Sequence, residues 1–155
     1  MTETTVRHEY FNATVERDFF AFMCGEMLGS GASRDVYVFE PDPRYVLKFE
    51  TGAQSFSNVR EWDVWHDAWA LGRDISDWLA PCVAISPCGT ILRQRRTTPA
   101  KVYPEKLPAW IMDTKRANFG MIGRRFVAHD YGLHAICNAG MTKRLRKIEW
   151  VGSLE

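Results

Sequence analysis

A glycine-rich turn and a lysine in this chain are of types that could hold an anion, and two further polar motifs follow them. Gly29-Ser30-Gly31 is a glycine-rich turn, where absent side chains let backbone N–H groups close over an anion. Lys48 lies 17 residues after Gly31, between Leu47 and Phe49, where it can reach an anion. Glu61 is spaced to hold that lysine in place. Asp113-Thr114-Lys115-Arg116-Ala117-Asn118 is an Asp-x-Lys-x-x-Asn loop, and Asp130-Tyr131-Gly132 begins 12 residues beyond Asn118. Each piece has a plainer reading. A Gly-x-Gly turn is usually a hairpin, Lys48 can face solvent on a half-buried strand, and Glu61 can be a solvated helical glutamate.

The elements that must position these residues follow from the pattern. Val36–Phe39 and Tyr45–Glu50 are rich in β-branched and aromatic residues and flank the turn Pro41-Asp42-Pro43, which predicts a hairpin. Val59, Trp62, Trp65 or His66, and Trp69 recur every three to four residues, predicting an amphipathic helix over 58–71 capped by Asn58 or Ser57. Glu61 falls near its apolar face. A short helical turn is expected at 75–79, strands at 83–86 and 90–95, and a hairpin from 119–122 and 125–129 across Gly123-Arg124. A helix is also expected at 15–22, where Phe19, Phe20 and Phe22 need cover. Residues 98–108 hold three prolines and read as an irregular connection. Because Gly29-Ser30-Gly31 lies between strands, the dinucleotide-binding and Walker-type loops, which open a helix, are excluded.

Glycine-rich hairpin, strand lysine, helical glutamate, Asp…Asn loop and Asp-aromatic-Gly, in that order, resemble the signature set of protein kinases. The order is far more specific than any single element. The resemblance covers roughly residues 26–132. It implies an α+β, protein-kinase-like fold whose N-lobe is an antiparallel sheet of five strands with one main helix, and it implies ATP and Mg2+ as cofactors. Residue by residue, Gly29, Gly31 and Val36 match the phosphate-covering loop and its trailing valine. Lys48 matches the phosphate-binding lysine and Glu61 its ion-pair partner. Asp113 stands where the catalytic base does, Lys115 where a lysine steadies the γ-phosphate, and Asn118 and Asp130 where the family binds magnesium. The implied division is an N-terminal extension (1–25), an N-lobe (26–97) and a reduced C-lobe with tail (98–155).

The departures matter equally. Arg34 replaces the third loop glycine, which stiffens the loop and places a cation near the phosphates. Ile111-Met112 stands where the family has His-Arg. Only 23 residues follow Gly132, so the peptide-binding helices have no room and the C-lobe is expected to be severely shortened. Very small kinase-like proteins of this sort resemble bacteriophage products, which implies a nucleotide-binding factor acting on a host protein. The expected activity is a phosphotransferase for a protein or small hydroxyl-bearing substrate. The alternative is an inactive kinase-like module that grips a host protein, using the tryptophan-rich helix.

Composition sets the outer limits. At 46% hydrophobic and 25% charged, the 155 residues are ordinary globular stock for one domain. The formal charge of +1 gives no general pull toward nucleic acid or anionic membrane, so Arg93, Arg95, Arg96 and the 143–147 stretch read as solvated surface. No apolar run is long enough to span a bilayer, and the first residues lack an apolar signal core, which points to the cytoplasm. Cys24, Cys82, Cys88 and Cys137 lack metal or disulfide spacing and read as reduced thiols. His66, His129 and His134 read as structural. The shortened C-lobe is expected to leave Trp110, Ile111, Ile136, Leu145, Ile148 and Trp150 uncovered, to be buried by a homodimer or a host partner.

Overall fold

The computed structural model describes residues 17–51, 55–132 and 140–152. Its centre is a five-stranded antiparallel sheet in the order β1-β2-β3-β5-β4, with β1 Cys24–Ser30, β2 Arg34–Phe39, β3 Tyr45–Glu50, β4 Cys82–Ile85 and β5 Ile91–Arg95. The hairpins fall where the turn residues put them. Residues 17–23 form helix α1, and Val15 and Glu16 of the expected helix lie outside the described residues. Helix α2, Ser57–Leu71, and the short α3, Arg73–Ser76, connect β3 to β4.

Directly opposed residues of an antiparallel pair share a face. The register therefore puts Arg34 with Glu50, Val36 with Lys48 and Leu92, and Val46 with Gln94 on one side of the sheet. Helix α2 packs on β3, β4 and β5. Its buried positions, Asn58, Glu61, Val64, Trp65 and Ala68, recur at helical spacing, two polar residues in the first turns and then an apolar stripe. The opposite side carries an aromatic triad in which Phe20 of α1 meets Tyr37 and Phe49 at centroid distances of 5.2 and 5.8 Å. That contact covers only part of α1, since Phe22 remains 69% exposed.

The remaining chain adds two small sheets. β6, Lys106–Pro108, pairs with β9, Leu145–Lys147, and β7, Phe119–Ile122, pairs with β8, Arg125–Ala128. Neither β6 nor β9 was expected, because prolines and a run of cations hid them. Their pairing tucks the 143–147 stretch against 106–108. The core is continuous: Val64, Trp65 and Ala68 of α2 join Leu92, Leu107, Trp110, Ile111, Phe119, Tyr131 and Ile148. This corrects the expected apolar surface, since Trp110, Ile111 and Ile148 are buried within the chain. Leu145 is exposed, Trp150 is half-buried against Phe119, and Ile136 lies outside the described residues. Full burial of Leu107 and of Ile111 contributes about 1.5–3 kcal/mol each. Among the described residues no helix is long and apolar enough to cross a membrane.

Candidate functional site

Lys48 is in the middle of β3, facing α2, and Glu61 is one turn into α2, facing the sheet. The two meet where both are buried, Lys48 at 4% exposure and Glu61 at 0%. Lys48 Nζ donates to Glu61 Oε1 and to the carbonyl of His129. Glu61 collects three more donors: Gln94 Nε2 to Oε1 at 2.8 Å, and Arg34 Nη2 and the Tyr131 N–H to Oε2 at 3.0 and 3.3 Å. That shell of donors offsets the cost of taking a carboxylate out of water. The plain reading of Glu61 as a solvated helical residue is thereby set aside.

Arg34 is the largest departure from expectation. Its guanidinium is buried rather than displayed, and it bridges Glu61, Asp130 Oδ1 at 2.5 Å and Asn58 Oδ1 at 3.3 Å. Burial alone would pull its pKa down, but Glu61 and Asp130 outweigh that and hold it above its ordinary value. Asn58 is a second surprise. It does not cap α2: the helix follows Phe56 without a side-chain cap, and Asn58 Nδ2 instead donates to the Lys48 and Thr90 carbonyls at 3.0 and 2.9 Å. The acceptor at the helix start is Glu50, which takes the Asn58 N–H at 2.7 Å.

Asp130-Tyr131-Gly132 follows β8 and is pressed against α2. A Cβ at Gly132 would lie 2.9 Å from the Ser57 carbonyl oxygen, so only glycine allows this approach without a shift. Tyr131 is buried, its hydroxyl donating to Ala80 O at 2.7 Å and lying 3.1 Å from Cys82 Sγ. Burial drives the Cys82 thiol up to about 12, which makes it inert. His129 places Nδ1 at 2.8 Å from Thr97 Oγ1 and Nε2 at 2.9 Å from the Ala117 carbonyl. A carbonyl only accepts, so Nε2 carries the proton and Nδ1 accepts from the hydroxyl. Burial first, then Lys48, lowers the ring to about 4, keeping it neutral.

The other expected residues are placed less tightly. Asn118 ends a single 3-10 turn, and its carbonyl accepts the His129 and Asp130 N–H groups at 2.8 and 3.4 Å, so it adjoins Asp130 through the backbone. Asp113 is held by its own loop: Oδ1 accepts the Lys115 N–H at 3.2 Å, and Lys115 Nζ is 3.8 Å from Oδ2. Gly29 pairs with Val36 next to Lys48. A side chain at Gly29 would meet open space and one at Gly31 only Arg34 O at 3.7 Å, so internal packing does not require glycine at either position. The structure thus unites Lys48, Glu61 and Asp130, sets Asn118 beside them, and leaves Asp113 with Lys115.

A cavity of about 140 Å³ opens at this network, lined by Ser33, Arg34, Ser57, Arg60, Asp130 and Gly132. Sites for whole small molecules run to about 300–1,000 Å³, so this one has room for a phosphate group rather than a nucleoside. Among the described residues no three His, Cys, Asp or Glu side chains gather as a metal cage. Magnesium commonly uses one or two carboxylates plus substrate phosphates, so Asp130, its side chain 53% exposed, with Asn118 beside it, is a donor set of the right kind. Arg34 competes for the same carboxylate. Sequence reasoning missed Gln94, Asn58 and Tyr131 as members of the network. Strand alternation places Gln94 on the Lys48 face, and that was the available signal. Compared with known proteins, the chain matches no protein-family model and no curated sequence.

Proposed function

We propose that the chain is a protein-kinase-like phosphotransferase that uses ATP and magnesium to modify a protein or a small hydroxyl-bearing substrate. The observation that carries this reading is the buried Lys48–Glu61 pair, locked by the Tyr131 N–H and set beside Asp130. A lone buried ion pair is weak evidence of anything. This one joins the strand lysine and the helical glutamate that the resemblance pairs in advance, and the Asp-Tyr-Gly turn touches it.

In this reading Lys48 grips phosphate oxygens, and Glu61 fixes where its ammonium points. Gly29 and Gly31, open to close approach, supply backbone donors over the phosphates, and Val36 packs on the base. Asp130 and Asn118 would hold magnesium, which when bound neutralises phosphate charge. Asp113 receives the proton of the acceptor hydroxyl, and Lys115, already at its side, steadies the transferred group. Arg34 releases Asp130 or shares it. A cytoplasmic site of action, and a host protein as substrate, accompany the proposal.

The experiment is transfer from labelled ATP with magnesium, comparing variants. Asp130→Ala is expected to abolish transfer and weaken magnesium-dependent nucleotide binding. Asp113→Asn is expected to leave binding intact and slow transfer by about two to four decades, and Lys48→Ala to lower affinity and rate together. Equal rates in wild type and Asp113→Asn, or no nucleotide binding by wild type, refute the reading. A second reading, a kinase-like module that binds a host protein without catalysis, is favoured by the Arg34–Asp130 contact and by Trp69, 62% exposed on α2. It predicts that Asp130→Ala and Asp113→Asn retain the protein's biological effect.

A further inference from the structure

Arg34, Lys48, Glu61 and Asp130 are matched to one another; Arg60 is outside that set. Arg60, half-buried on the first turns of α2, lines the cavity, and its guanidinium has no hydrogen-bond or ion-pair partner among the described residues. Two guanidiniums and one carboxylate thus line about 140 Å³ of space, with Glu61 and Glu50 behind Arg34. Glu50, whose charge also acts on Arg34, does not line the cavity, and its oxygens accept from Ser55 Oγ at 2.9 Å and the Asn58 N–H at 2.7 Å. The neutral lining also consists of donors. The Ser57 hydroxyl lies 3.4 Å from that of Ser33, and α2 begins there with no acidic residue in its first turn and no side-chain cap.

We propose that this cavity binds one tetrahedral oxyanion, a phosphate group, without a metal ion. Arg60 turns inward as the principal ligand. Arg34 is already fixed at the rim by Asp130 and Glu61 and adds its charge without having to be ordered, while Ser33 and Ser57 donate hydroxyls. Guanidinium forks match phosphate oxygens in pairs, and the site's volume limits it to a single such group. The proposal is independent of the phosphotransferase reading, since it requires nothing from Lys48, Asp113, Asn118 or magnesium. The shared chemistry has two sources, a free inorganic phosphate or pyrophosphate and the terminal phosphate of a nucleotide.

The test is titration of the full chain in EDTA with inorganic phosphate, pyrophosphate and ATP, followed by calorimetry and by backbone amide shifts at Ser57 and Gly132. Saturable binding of phosphate or pyrophosphate is expected. Arg60→Gln should weaken it by about tenfold to a hundredfold, the size of one charge-assisted contact, with Arg60→Lys in between. Arg73→Gln removes a surface cation that pairs with Asp77 at 3.7 Å away from the cavity lining, and should change nothing. Since Arg60 has no structural partner among the described residues, its variants should keep the wild-type melting temperature. ATP binding in EDTA that phosphate displaces and Arg60→Gln abolishes identifies the nucleotide as the source. If ATP instead needs magnesium and ignores both, free phosphate is the source. If ATP never binds, the phosphotransferase reading falls while phosphate binding stands. No saturable phosphate or pyrophosphate binding to wild type, or equal losses in Arg60→Gln and Arg73→Gln, overturns the proposal.

Discussion

Glu61→Gln changes one carboxylate oxygen to an amide and leaves the shape of the side chain intact. Four donors now converge on the two oxygens: Lys48 Nζ and Gln94 Nε2 on one, Arg34 Nη2 and the Tyr131 N–H on the other. In the variant an NH2 group faces two of those donors, whichever way the amide turns. With the NH2 toward Lys48, that ammonium, at 4% exposure, keeps only the His129 carbonyl; with it toward Arg34, the guanidinium keeps Asp130 and Asn58 while the Tyr131 N–H loses its acceptor. Removing one partner of a buried pair costs about 3–5 kcal/mol, because the other charge stays buried. That is a large share of the roughly 5–15 kcal/mol by which a domain is stable, and corresponds to a melting temperature lower by about 6–20 °C.

Urea unfolding followed by tryptophan fluorescence measures it directly. Lys48→Met combined with Glu61→Leu supplies the control, since an apolar pair of similar volume removes the stranded charge and should recover at least half of the loss. A single-variant loss below about 1 kcal/mol, or a double variant weaker than the sum of its parts, would show that the network is solvated and that the reasoning from burial is wrong.

Gly132→Ala drives a Cβ to within 2.9 Å of the Ser57 carbonyl oxygen, and is expected to cost about 1–3 kcal/mol and to shift the amides of the first turn of α2 in NMR spectra. His129 has a folded pKa of about 4 against an ordinary 6.5. The unfolded chain therefore binds the extra proton, and stability is full above pH 6.5 and falls as the pH drops toward 4. The ring retains some solvent contact, so the loss is about 1–3 kcal/mol rather than the full shift, and His129→Asn should flatten that part of the curve. Ser86 and Thr90 lower the exposed Cys88 thiol to about 7, while burial holds Cys82 near 12. Iodoacetamide at neutral pH should modify Cys88 well before Cys82, and equal labelling of both would contradict the placement of Cys82 in the core.

Much of the fold was legible because it rests on period and punctuation. β3 and the 119–122 strand match their expected bounds, α2 begins one residue earlier than expected, and β1 reaches back to Cys24. What the pattern could not give was pairing at a distance. β6 and β9 are three residues each and meet across a long stretch of chain, too short to leave a period of their own. Leu145 and Lys147, both exposed, flank Arg146, whose Nη2 donates to Ile111 O at 2.8 Å, so the cations of this strand disguise a tie to the core. The site divides the same way. Lys48 and Glu61 were legible because strand and helix register aim them at each other. Arg34 was read as a loop cation at the phosphates, since a sequence does not reveal that a guanidinium will be drawn inward by two acids far along the chain.

The site residues also divide by what holds them. Glu61, Lys48, Arg34 and Gln94 form the polar seam between sheet and helix, and Tyr131 fastens the Asp-Tyr-Gly turn to it. These residues set the position of α2 and its distance from Asp130, so replacing any of them alters the frame together with any chemistry done in it. Asp130, Asp113 and Arg60 stand apart. The Asp130 side chain is about half exposed, Asp113 is held by a single neighbouring lysine, and Arg60 is unpaired among the described residues. The buried seam therefore reports on architecture, and loss of ligand binding or transfer carries functional meaning where it follows substitution of those three.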